Sequence, residues 1–439
     1  MKRVLILLFS LLPASLILLS CGGTPSSSTQ TSGPKYRAFI TNSVTAGTGS
    51  AGVYIVNAQT DVRALVSPIS VGNTPGMMVL TPNRAQTLVF SGNGTQFSDN
   101  QFSIINNATG AAAAHVTLPG VTESFVVSPD GSAAYAAVPT ASVVGQSPGV
   151  VKVISLSSGA FTGEVDVPSV HYLSIDNSGN RILGFSDNSD RVWVITPSNI
   201  GIGNAVSYID GFDRPVAAFF SSDDSTAYVV NCGAECGGTT ASVQQLNLTN
   251  NTLGSYVAVC TPGPNPLCAG SVALVDGSTM YVAGTPYSGG VPSQPCTGQK
   301  TAATTCGLLT VVDLSGSMTV TNSGIVITDG YHNRMSLGAN GQLFIGARTC
   351  TEIVPPIPPP QGAETRGCLS IYNTQTQAPA VIPPANGDVT GIQPIATRTV
   401  VYVIQGGSLG IYDTATDALQ TLQITNLIGQ FIDVKTVDF

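Results

Sequence analysis

One strand pattern recurs eight times along this chain, and no other feature restricts the fold as much. The copies lie at 37–42, 87–92, 133–138, 181–186, 226–231, 279–284, 342–347 and 400–405. Each is a short apolar run, such as Arg-Ala-Phe-Ile-Thr-Asn in the first and Thr-Ala-Tyr-Val-Val-Asn in the fifth. After a loop come a second strand and a polar turn, as at 52–60 and 409–416, and then a third strand. Before most copies another strand ends in a tight turn, such as Ser-Pro-Asp-Gly at 128–131 or Asp-Asn-Ser-Gly at 176–179. Four short strands per unit, repeated every 40 to 60 residues or so, mark the blades of a propeller. The expected fold class is all-β: a single β-propeller over 36–439, with eight four-stranded blades and seven as the alternative.

The ends of the repeat array support the higher count. The first unit starts directly with its second strand at Arg37 and lacks an innermost one, while the last unit has its four strands before the chain ends. The remaining segment, 429–436, resembles the missing inner strand and is expected to complete the first blade, which removes an open sheet edge.

Composition agrees with short strands and tight turns. Charged residues make up 9% of the chain, against roughly 25% in soluble proteins generally. That leaves little material for Glu- and Lys-rich helices. The 16 basic residues are outnumbered by 24 acidic ones, with no basic patch, so nucleic acid is not an expected partner.

The N-terminus has the order of an export signal. Lys2 and Arg3 precede an apolar run from Val4 to Leu19, and Ser20 supplies the small residue before a cleavage point. Cys21 directly after it resembles the lipobox of bacterial lipoproteins. The resemblance implies a signal peptide at 1–20 and a lipid on Cys21. The Gly-, Ser- and Thr-rich segment to residue 35 reads as a flexible tether. Gly22, rather than aspartate, favours the outer membrane in that family. The chain is expected to be a monomer.

Ala227-Tyr-Val-Val-Asn231, with Ser-Pro-Asp-Gly upstream of another copy, resembles the YVTN-type β-propeller repeats of bacterial surface and secreted proteins. The family includes binding proteins and lactonase-like enzymes, so it implies a fold more than a function. Outer-membrane assembly lipoproteins and quinoproteins carry a tryptophan in most blades, whereas this chain has only Trp193.

Beyond Cys21 the cysteines are Cys232, Cys236, Cys260, Cys268, Cys296, Cys306, Cys350 and Cys368. An even set in an exported chain reads as disulfides, and nearest-neighbour pairing is the simplest of the many connectivities. Zinc at Cys232 and Cys236 is the competing reading, without a histidine nearby. These cysteines fall in the long segments 232–242, 259–269, 285–307 and 348–368, which propeller topology puts on one face. On that face Glu123, His171, Arg214, His332, Asn333 and Arg334 fall near the starts of innermost strands, at the channel mouth. Two histidines and a carboxylate suit ligand binding, and a divalent metal there is the alternative. No cofactor and no catalytic residue is expected. His115 reads as structural, and the acidic run at 187–190 as a turn rather than a calcium loop. The leading expectation is an envelope binding or scaffolding module for protein, peptide or glycan. The alternative is a lactonase-like hydrolase with a metal at the mouth.

Overall fold

The computed structural model describes residues 36–43, 50–92, 99–286, 306–351, 367–383, 385, 387–421, 424 and 427–438. The signal peptide, Cys21, the tether and Cys296 lie outside them. Eight antiparallel sheets follow one another around a ring. All eight recurrent patterns form the second strand of a blade: Arg37–Ser43, Gln86–Ser91, Ala133–Val138, Ile182–Ser186, Thr226–Asn231, Thr279–Gly284, Gln342–Arg348 and Val400–Gln405.

Blade-on-blade stacking explains why these segments are apolar on both faces. A second strand lies under the preceding blade and over the following one, so its residues are buried almost without interruption, as in Ile182–Ser186. The outer strand Ala111–Thr117 instead alternates exposed and half-buried positions, because only one face meets a neighbour. Eight apolar clusters each join two adjacent blades, from Phe39, Val53 and Met78 between the first two to Ile40, Tyr402 and Phe431 between the last and the first. The core is thus a set of interfaces around a channel.

The C-terminal strand Gln430–Thr436 pairs antiparallel with Arg37–Ser43 and becomes the inner strand of the first blade. Asp433 anchors it. Its buried carboxylate accepts the Met78 N–H of the second blade at 2.9 Å and the Val434 N–H at 2.8 Å, while its own N–H donates to Thr41 Oγ1 at 2.9 Å. Arg37 clasps the carboxylate of Asp438 through Nε (2.6 Å) and Nη2 (2.7 Å). At the junction with the eighth blade, Asp61 accepts from both Arg398 and the Tyr402 hydroxyl. In the seventh blade the fourth position is marked by the bridge pair Ile371–Val381.

Because each blade begins and ends on the same side, the second-to-third-strand loops and the crossovers share one face. Most loops on the other face are short turns, whereas 196–205 carries the 3-10 turn Pro197–Asn199. On that face the Asp224 carboxylate accepts the Asn177 and Ser178 N–H groups of the preceding blade.

Candidate functional site at the channel mouth

Three disulfides stiffen the long-loop face: Cys232–Cys236, Cys260–Cys268 and Cys350–Cys368. These are the nearest-neighbour pairs. Cys306 is also disulfide-bonded, and its expected pairing with Cys296 falls outside the described residues. Disulfides of this number point to an exported chain. Among the described residues no helix is long and apolar enough to cross a membrane.

A β-bulge recurs at the mouth end of the inner strands. In the fourth blade Val170 pairs with Ser186 and Tyr172 with Phe185, so His171 is the extra residue. Val216, Asn333 and Thr390 hold the same place in the fifth, seventh and eighth blades. The second blade and the closing strand each carry one extra residue there too. Inner strands Ser124–Val127 and Val272–Asp276 pair without a shift. A bulge bends the strand and re-aims side chains. Here it opens a channel cavity of about 620 Å³ lined in part by Met77, Val216, Asn333, Thr390 and Ile432. A second cavity of about 390 Å³ adjoins it, and the two share Glu123, Tyr172, Val216 and Tyr331.

The residue before each bulge turns away from the channel into the interface between blades. Val170 and Val389 are fully buried there, and so is His332. His332 therefore leaves the expected site. Its ring packs against Gly307, where even a Cβ would come within 2.7 Å of Cε1. Neither ring nitrogen has a hydrogen-bond partner of good geometry. Burial lowers its pKa to about 4, with the nearby Thr328 carbonyl acting weakly the other way. It is a neutral core histidine.

His171 is at the mouth. Nδ1 lies 2.7 Å from Asp187 Oδ2 and Nε2 3.1 Å from Glu123 Oε2. The ring stacks on Tyr172 with centroids 4.5 Å apart. The hydrogen bond to Glu123 is the largest of the effects that raise its pKa to about 9, outweighing burial. Glu123 is lowered in turn, first by the bond from His171 and further by the charges of Arg348 and Arg334. The result is an imidazolium between two carboxylates.

Arg214, in the left-handed backbone region at φ 56°, donates from Nη2 to the Gly237 carbonyl at 3.3 Å and pairs with Asp190 at 3.5 Å. Asp187 and Asp190 are thus both committed to cations, which agrees with reading 187–190 as a turn. Arg334 donates from Nε to the Thr390 carbonyl at 3.0 Å, across to the eighth blade. His115 bonds Gln101 and Ser103 on its own blade, away from the mouth.

Several mouth residues carried no signal of their own in the sequence. The Tyr172 and Tyr331 hydroxyls meet at 3.1 Å, although their blades are not adjacent in the ring. This pair spans the channel and lines both cavities. Arg348 ends its second strand opposite Tyr331 and lines the larger cavity. Glu235 lies inside the Cys232–Cys236 loop and accepts the Thr285 N–H at 3.1 Å. Burial pushes its carboxyl up to about 7, against the hydrogen bonds it accepts.

No protein-family model matches the sequence, and no curated protein does. Solved structures match by shape. Dihydro-heme d1 dehydrogenase NirN, solved in complex with DHE, aligns with a TM-score of 0.59 at 13% identity, over 94% of this chain and 78% of that one. Hydrazine synthase of Kuenenia stuttgartiensis aligns at 0.52 and 13% identity, over 81% and 99%. The β-propeller domain of Myceliophteria thermophila Cps50 (Swd1) aligns at 0.50 and 8% identity, over 79% and 99%. Likeness this remote shows the fold alone: the chain is a β-propeller.

Proposed function

We propose that this protein is a lipid-tethered binding module of the bacterial cell envelope that takes its ligand at the channel mouth of the disulfide-bearing face. The recurrent bulge carries the reading. Six inner strands give up regular pairing at the same end, and the extra residues line the two joined cavities. Bulges cost ladder hydrogen bonds, and repetition at one rim supports a shaped site. Cavities of this size suit small ligands or the tip of a larger glycan or peptide.

The lactonase-like alternative requires a metal ligand or a free base there. His171 spends both nitrogens on carboxylates and is held protonated, so it offers no lone pair at neutral pH. Capture from envelope extracts by the purified full chain tests the proposal. Tyr172→Ala and Tyr331→Ala are expected to lose the captured ligand while circular dichroism stays unchanged. A stoichiometric divalent metal that disappears in His171→Ala would instead support the hydrolase. The anchor is tested separately: Cys21→Ser is expected to move the protein from the membrane to the soluble fraction and to remove the N-terminal acyl mass.

A further inference from the structure

Exposed aromatic residues gather on one arc of the outer rim. Among the described residues the exposed Phe and Tyr rings are Phe161, Tyr208, Tyr256 and Tyr331, of which Tyr331 belongs to the mouth. The other three are 40%, 52% and 63% exposed on the outermost strands of three successive blades. Those strands are Phe161–Asp166, Val206–Asp210 and Thr252–Ala258, in the third, fourth and fifth blades. Folding does not require rings there. The matching strands of the second and eighth blades expose Ala111 and Ala113, and Ala418 and Gln420, among their outward positions.

Two neighbouring blades build the same arrangement around the ring. In the fourth, Arg191 of the adjoining strand lies over Tyr208, its guanidinium carbon 4.1 Å from the ring centre, and pairs with Asp210 at 3.1 Å. Trp193 stands edge-on to Tyr208 with centroids 5.6 Å apart. In the third, Lys152 lies 5.2 Å from the centre of the Phe161 ring and pairs with Glu164. In the fifth, the neutral Gln244 is opposite Tyr256. The three sets adjoin one another. Ile200 of the fourth blade packs onto Gly163 of the third, and Leu253 of the fifth onto Gly211 of the fourth.

Aromatic surface held in water marks a place where something binds. The arrangement also specifies the chemistry. Lys152 and Arg191 are each matched by a carboxylate, so neither set offers a net charge to an ionic ligand. A pyranose ring meets both parts of such a set. Its flat C–H face stacks on an aromatic ring, and its hydroxyls both donate to the carboxylate and accept from the cation. A folded protein partner instead needs a compact apolar centre with the charges kept to the rim, whereas here ion pairs stand beside the rings. Repetition on three successive blades suits a chain of sugars rather than a single one. We infer that the outer rim of the third to fifth blades is a second binding surface, separate from the mouth, for a neutral glycan chain.

Affinity electrophoresis of the full chain tests this, in gels containing hydroxyethylcellulose, laminarin, galactomannan or dextran, with polygalacturonate as the anionic control. At least one neutral polymer is expected to retard the protein, and equally at low and high salt, because no net charge is engaged. Tyr208→Ala is expected to weaken that retardation about tenfold, Phe161→Ala and Tyr256→Ala severalfold, and Tyr208→Phe to retain it. Thermal melting of each variant checks the fold. The proposal is overturned if no neutral polymer retards the wild-type chain, if polygalacturonate does so more strongly, or if a folded Tyr208→Ala chain is retarded as before. Retardation lost in Tyr172→Ala and kept in Tyr208→Ala places the glycan in the mouth and overturns the rim assignment alone. Two other occupants are read directly, by sedimentation with phosphatidylethanolamine–phosphatidylglycerol vesicles and by analytical ultracentrifugation of the chain alone. Vesicle binding or self-association that Tyr208→Ala abolishes, with no polymer bound, assigns the rim to lipid or to a second copy and overturns the glycan.

Discussion

His171 gains two carboxylate partners on folding, and its pKa rises from the ordinary 6.5 to about 9, with Glu123 the leading cause. A raised pKa means that the folded state holds the proton more tightly. The pairing therefore stabilises the fold fully below pH 6.5, and that contribution is lost as the pH climbs through about 9. A proton NMR titration should place the His171 midpoint near 9, and Glu123→Gln should bring it down. Glu235 has the opposite consequence. Its carboxyl moves from 4.5 to about 7 because burial disfavours the charged form. Between those values the folded state binds the extra proton, so the stability it confers is lost as the pH rises from 4.5 through 7. Glu235→Gln should melt with the wild type at pH 5 and be the more stable chain at pH 8, by up to about 3 kcal/mol. His332 was legible as a candidate and not as a core residue. A one-residue bulge decides which of His332 and Asn333 faces the channel, and local sequence carries no mark of it. His332→Leu should leave ligand capture intact and hold stability to within about 1 kcal/mol of wild type, since neither imidazole nitrogen has a hydrogen-bond partner of good geometry there.

The bulged inner strands and the cystine loops do different work. Inner strands set the shape of the channel, whereas the disulfides restrain the loops around it. Cys350–Cys368 closes a separation of 18 residues and Cys232–Cys236 one of 4. Chain-entropy reasoning assigns the longer loop about 3 kcal/mol and the shorter about 2. Denaturant melts of the two double Cys→Ala chains should preserve that order. A reversed order would mean that the Cys232–Cys236 loop matters through the Glu235 contacts it holds rather than through chain entropy. The closing strand depends on Asp433. Asp433→Ala should cost about 2–3 kcal/mol, because the buried Met78 N–H then has no acceptor.

At the scale of the molecule, stability is spread over eight blade interfaces, with no central core to fall back on. An open array of such repeats would unfold piecewise from its ends. Among the described residues neither end of the array is a free blade, because the strand Gln430–Thr436 completes the first blade. Removing residues 430–438 should expose the edge of Arg37–Ser43 and turn a single urea transition into a broad or stepwise one. The same closure keeps the mouth intact, since Ile432 and Asp433 on that strand line the cavity together with residues from the other end of the ring.

The sequence by itself pointed to eight blades ahead of seven, to the closing strand, to nearest-neighbour cystine pairs as the simplest connectivity and to the face on which they lie. Each depends on patterns local to one unit: a strand's apolar run, a turn, or two cysteines close along the chain. Only the tertiary structure decided what the mouth is made of. Tyr172 and Tyr331 stand 159 residues apart and meet because the ring brings their blades around one axis. His332 and Asn333 exchange faces through a bulge that follows from pairing with the next strand. Register and ring geometry are properties of strands in contact, so they appear only once the blades are assembled.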